Sequence, residues 1–189
     1  MARHAAVIGL LAVAGAWATG PQAPASTEIT LKGTDGTTRI FPALVRGAPA
    51  TVLVFFSDHC PCVRAHDVRL RALAERFAAA GVRFFSVDSE YGATLERDQT
   101  EARAREYPFP ILLDPGSHLA DALSARYATY VAIFDAGGTL RYHGGLDSDQ
   151  SVLHDDAHAW VTQALDDVLA GRAVAQPETK ALGCALQRW

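Results

Sequence analysis

Ala50-Thr51-Val52-Leu53-Val54-Phe55-Phe56-Ser57-Asp58-His59-Cys60-Pro61-Cys62-Val63-Arg64-Ala65-His66 opens as an apolar run rich in β-branched and aromatic residues and ends in a tight Cys-Pro-Cys. Residues 50–56 are bounded by polar residues and are too few for a helix, which needs roughly ten or more; they predict a strand buried on both faces. Beyond it, Val63, His66, Leu70, Leu73 and Phe77 recur at spacings of three and four, the mark of one buried helical face. Cys60 therefore falls at the carboxyl end of a strand and the start of a helix. Pro61 suits the first helical position, where its missing N–H has no partner to lose. The unpaired amides of that first turn and the helix dipole favour a thiolate over a thiol.

Most free cysteines are small buried hydrophobes. Two of them two residues apart at a strand-to-helix junction point instead to redox or metal chemistry. Residues two apart on a helix project about 200° from each other, so a Cys60–Cys62 bridge is strained unless Cys60 is the non-helical cap. A strained bridge is oxidising and readily reduced.

Outward from this stretch, residues 61–80 predict a helix closed by Gly81, and 82–87 the next strand, a parallel β-α-β unit. Upstream, Glu28 to Lys32, the turn Asp35-Gly36 and Thr37 to Phe41 predict an N-terminal hairpin. Downstream come a helix over 94–105, an extended path through Tyr107-Pro108-Phe109-Pro110 into 111–114, and a helix over 117–127. Strands at 130–134 and 139–143 follow, joined by Asp135-Ala136-Gly137-Gly138, and then a last helix over about 150–169. Alternating strands and helices imply an α/β domain layered on a central sheet.

Met1 to His4 is a short cationic head, Ala5 to Ala18 is apolar, and small residues follow at Ala16, Ala18, Ala23 and Ala25. This predicts a signal peptide over 1–25, a periplasmic or secreted destination, and no stable membrane insertion after processing, since the apolar part is shorter than the ~20 residues of a span. The chain carries a net charge of −4, and losing Arg3 with the leader leaves −5, so nothing attracts nucleic acid. Residues 26–189 are the size of one domain. Three cysteines are too few for a disulfide scaffold and, being odd in number, leave a reactive thiol or an exchanging pair.

Strand, cysteine, helix, then β-β-α resembles the thioredoxin-like superfamily. Phe109-Pro110-Ile111-Leu112-Leu113-Asp114, the hairpin from Phe134 to Gly138 and the Asp35-Gly36 hairpin resemble its alkyl hydroperoxide reductase and thiol-specific antioxidant branch, the peroxiredoxin-like redoxins. His59-Cys60-Pro61 and the tail Glu178-Thr179-Lys180-Ala181-Leu182-Gly183-Cys184 are similar to a group of bacterial redoxin-domain proteins. The resemblance implies a three-layer fold with a central mixed sheet flanked by helices, over 26–189, with a cysteine-containing C-terminal tail. Two departures stand out. Ser57 holds the hydroxyl position of the peroxiredoxin Pro-x-x-x-Thr-x-x-Cys motif, but its proline is absent; Thr129-Tyr130 stands where a thioredoxin has Thr-Pro.

The resemblance implies an oxidoreductase with Cys60, Cys62 and Cys184 as catalytic candidates, supported by Ser57, His59, Pro61 and Thr129. Its substrate would be a peroxide or protein disulfide, its reductant a thiol, and no cofactor is expected. Cys184, in a tail free to fold back, is the candidate resolving residue, and because Cys-x-Cys points its sulfurs apart, a thiol from elsewhere is the easier partner for a disulfide. The alternative is a non-catalytic copper carrier using Cys60, Cys62, His59 and His66. His154 and His158, four apart on the expected last helix, are read as surface residues, Asp147 and Asp149 as a turn and helix cap, and Trp160 as core.

Overall fold

The computed structural model describes residues 28–188; the expected signal peptide lies outside them. Strands β1 (Ile29–Gly33) and β2 (Thr38–Phe41) form the N-terminal hairpin, and β3 (Ala50–Phe56) leads into α1 (Pro61–Ala78). Then come β4 (Arg83–Asp88), α2 (Leu95–Ala104), β5 (Ile111–Leu113), α3 (His118–Ala122), β6 (Val131–Asp135), β7 (Leu140–Gly144) and α4 (Trp160–Leu169). The sheet runs β2-β1-β5-β4-β3-β6-β7. It is mixed: β3 pairs parallel with β4 and antiparallel with β6.

Every residue of β3 is buried, as its unbroken apolar run predicts. Its side chains alternate between two cores. Val52 and Val54 face Leu70, Leu73 and Phe77 of α1 and Val161, Leu165 and Val168 of α4. Leu53 and Phe55 face Leu119 and Ala120 of α3, Leu31 and Phe41 of the hairpin, and Ala181 and Leu186 of the tail. Those two cores place a layer of structure on each side of the sheet. Among the described residues no helix is long and apolar enough to cross a membrane.

Two helices are shorter than their patterns predict. The helix expected over 117–127 stops at Ala122, and Ser124 takes a left-handed conformation at φ 55°. The helix expected over 150–169 begins only at Trp160. Side chains capture the backbone groups that a helix over 150–159 would need. Asp149 accepts from the His154 N–H at 2.7 Å and Arg69 donates to the His154 carbonyl at 2.7 Å. His154 and His158 are thus on a loop, and Asp149 closes a turn without capping α4. Trp160 is half-buried at the edge of the core.

Candidate active site

The carboxyl end of β3 and the start of β6 lie side by side because the two strands run antiparallel. Phe55 N–H donates to the Tyr130 carbonyl at 2.8 Å and Thr129 N–H to the Phe55 carbonyl at 2.8 Å. Thr129 makes the turn with φ 68°, which keeps its own backbone against β3. Just beyond, Cys60 is the N-cap of α1, extended at φ −80°, ψ 115°, with Pro61 as the first helical residue. The Cys60 carbonyl accepts the first helical hydrogen bond, from Arg64 N–H at 3.2 Å, and its own N–H donates to the Ser57 carbonyl at 3.3 Å. Cys60 and Cys62 are both buried.

The C-terminal tail covers this junction. Ala128 N–H donates to the Cys184 carbonyl at 2.8 Å and Leu186 N–H to the Arg126 carbonyl at 2.9 Å, around a Tyr127–Ala185 antiparallel bridge. Tyr91 N–H holds the Gln187 carbonyl at 2.6 Å. The tail is pinned on both sides of Cys184, so the free arm anticipated from the sequence is instead a docked strand-like segment. Gly183 makes that docking feasible: a Cβ there would lie 1.6 Å from the Ala128 carbonyl oxygen. The sulfurs of Cys60, Cys62 and Cys184 all lie within 4.8 Å of one another, and all three thiols are free.

The three thiols are not equivalent. Burial pushes the Cys60 thiol up, but hydrogen bonds from the Cys184 thiol and backbone N–H and from the Val63 and Cys62 amides outweigh it, and the net shift is downward. The Cys184 N–H sits 3.4 Å from the Cys60 sulfur. Burial and the neighbouring Cys60 charge raise Cys62. Burial and the hydrogen bond it donates to Cys60 raise Cys184 to about 12. The shifts run in opposite directions: the surroundings favour the thiolate at Cys60 and the protonated thiol at Cys62 and Cys184.

The histidines lie elsewhere. His59 is largely exposed, its Nε2 3.2 Å from Asp58. His66 is buried and occupied at both ring nitrogens, Nδ1 at 2.7 Å from the Cys62 carbonyl and Nε2 at 3.0 Å from Asp147 Oδ1. Burial opposes its charge, but Asp147 and the Cys62 carbonyl prevail and raise its pKa, while Asp147 is held low. The Cys60, Cys62, His59, His66 ligand set is therefore not assembled; among the described residues the clustered soft ligands are the three cysteines. His66 instead ties the first turn of α1 to the 147–154 loop, where Arg69 also binds Asp147 and Asp149 at 2.6 and 2.8 Å. Ser57 and Thr129 are buried, and a Cβ on Gly183 would lie 2.9 Å from Thr129 Oγ1.

One pair near this end of the sheet had no sequence signal. Asp88 ends β4 opposite Phe56, and Asp98 lies on α2, fully buried with both carboxylate oxygens lacking a donor. Burial, then the neighbouring Asp88, pushes Asp98 up to about 8; burial raises Asp88 to about 6. A proton shared between the two carboxyls accounts for the oxygens without donors. Ten residues and an element boundary separate them, so no local pattern joins them.

Residues 20–152 match the model of the AhpC/TSA family. No curated protein matches the chain significantly in sequence. Among solved structures, an uncharacterized conserved protein from Geobacillus kaustophilus is similar at TM-score 0.79 and 29% identity, over 90% of this chain and 92% of that one. A hypothetical protein from Sinorhizobium meliloti 1021 gives TM-score 0.79 and 25% identity over 93% and 97%. The peroxidoxin BcpB from Mycobacterium tuberculosis shares the fold at TM-score 0.57 and 17% identity, over 79% and 96%. The expected three-layer architecture with an N-terminal hairpin is the one observed.

Proposed function

The chain belongs to the AhpC/TSA family, and from that premise we propose that it is an exported thiol-dependent oxidoreductase with Cys60 as nucleophile and Cys184 as its first partner. The observation that carries this reading is the convergence of three free sulfurs within 4.8 Å, with the acidified one at the N-cap of α1. With a peroxide, the Cys60 thiolate takes the terminal oxygen and becomes a sulfenic acid, and the alcohol leaves after gaining one proton. The Cys184 thiol then attacks that sulfur, a disulfide forms, and water departs. With a disulfide substrate, Cys60 forms a mixed disulfide and expels one thiolate, and Cys184 displaces the second as a thiol. An external dithiol restores the reduced trio in either case.

Cys62 is the reserve partner, one helical position past Pro61. Ser57 holds the Cys60 N–H through its carbonyl, and Pro61, with no N–H of its own, leaves the Cys62 and Val63 amides to face Cys60. Mild peroxide treatment followed by alkylation and peptide mass mapping tests the assignment. A Cys60–Cys184 bridge is expected. A Cys60–Cys62 bridge with Cys184 alkylated would leave the tail cysteine without this role.

A further inference from the structure

A disulfide cycle uses two sulfurs at a time, yet this fold holds a third with equal care. Backbone bonds on both sides of Cys184, and the close approach at Gly183, set its sulfur among the other two before any oxidation occurs. Such preorganisation of three thiols is what a soft ion needs from a binding site. The charge of that ion is set by the surroundings. The main influences on the three thiols are burial, one another and backbone amides. No histidine or carboxylate joins the cluster among the described residues. Three thiolates with a monovalent ion would leave a buried charge of −2, and with a divalent ion −1 together with an unfilled fourth position. A trivalent ion leaves none. A trivalent metalloid also completes its shell with three bonds and a lone pair.

We propose that Cys60, Cys62 and Cys184 form a binding site for a trivalent thiophilic metalloid of the arsenite or antimonite class, held by three sulfur bonds. Arsenous acid, As(OH)₃, reacts with three thiols to give As(S-Cys)₃ and three waters. Each hydroxide leaves with one proton, two of them from Cys62 and Cys184 and the third from solvent where Cys60 is already ionised. No oxidation state changes. Bonds near the ~2.3 Å of other metal thiolates, made pyramidal by the lone pair, set sulfurs about 3.5 Å apart, so sulfurs already within 4.8 Å need an inward shift of about an ångström. The proposal does not rest on the oxidoreductase reading, because binding requires no turnover.

The test is an anaerobic titration of the reduced full chain with sodium arsenite, read by intact mass and by counting thiols that remain alkylatable. One arsenic per chain is expected, at a mass increment of arsenic less three hydrogens, with all three thiols blocked. Cys184→Ser should weaken binding by about a hundredfold or more, the loss of one tethered ligand. An adduct that leaves one thiol titratable, or equal affinity in Cys184→Ser, would overturn the proposal, as would stoichiometric displacement of arsenite by zinc or copper(I). Should the variant fail to fold, the wild-type thiol count decides alone. A protein that reduces peroxide but leaves arsenite unbound loses only this inference.

Discussion

Acidity at Cys60 comes from two directions, the amides of its own helix and the backbone and thiol of a tail far away in sequence. Near neutral pH it should therefore be the fastest of the three thiols to react with iodoacetamide; a faster Cys62 would reverse the roles. Cys184→Ala removes the thiol donor among them, and the Cys60 alkylation rate at pH 7 should fall as the thiolate loses that support. Gly183→Ala tests the docking itself. Its Cβ would strike the Ala128 carbonyl, so the tail should detach locally while the domain stays folded, seen as limited proteolysis near the C-terminus and faster alkylation of Cys184. Unchanged protection of the tail would contradict this. Cys60 and Pro61 were legible from the sequence because cap and first-turn preferences are local. Cys184 was expected beside Cys60, but its backbone N–H as a donor to that sulfur was not, since sequence spacing carries no record of the backbone geometry at a contact spanning the domain.

Helix α2 brings Asp98 against the end of β4, and this pair gives the protein a pH dependence of definite sign. Between about pH 4 and about 8 the folded protein keeps a proton on Asp98 that the unfolded chain releases. Stability should therefore fall as pH rises through that window, by up to about 1 kcal/mol per unit, and level off above it. Asp98→Asn keeps a hydrogen-bond donor for Asp88 and removes the titration. Urea midpoints between pH 5 and 9 should be flatter in the variant and higher than the parent's at the alkaline end. His66, whose pKa is also raised, contributes with the same sign, so the difference between the two proteins is the readout. A parallel pair of profiles would place the proton elsewhere. Apolar periodicity revealed β3 and α1 because burial imposes it along the chain. It misread 150–159, where Leu153 and its neighbours fit a helical stripe but Asp149 and Arg69 bind the backbone first.

For the molecule as a whole, the order of elements and the two-sided burial of β3 were evident from the pattern of apolar runs, but beyond the parallel β3–β4 pair and the two hairpins the sheet order β2-β1-β5-β4-β3-β6-β7 was not, because apolar runs do not say which strands become neighbours. The edge hairpin was recognised by its Asp-Gly turn. The tail's return to the Cys60–Cys62 turn was anticipated from Cys184 and its surroundings; what pattern could not supply was how it is held there, by backbone hydrogen bonds to Arg126, Ala128 and Tyr91. Export is tested on the whole chain: the N-terminus of protein recovered outside the cytoplasm should begin after Ala18 or Ala25, and a chain still starting at Met1 or Ala2 there would count against a cleaved leader. The docked tail also imposes a schedule. Cys60 and Cys62 leave the ribosome long before Cys184, so for much of synthesis the pair exists without its third member. A chain threaded amino end first into an oxidising space would present those two thiols alone, and whatever oxidant it meets in that interval acts before the strand that completes the trio has arrived.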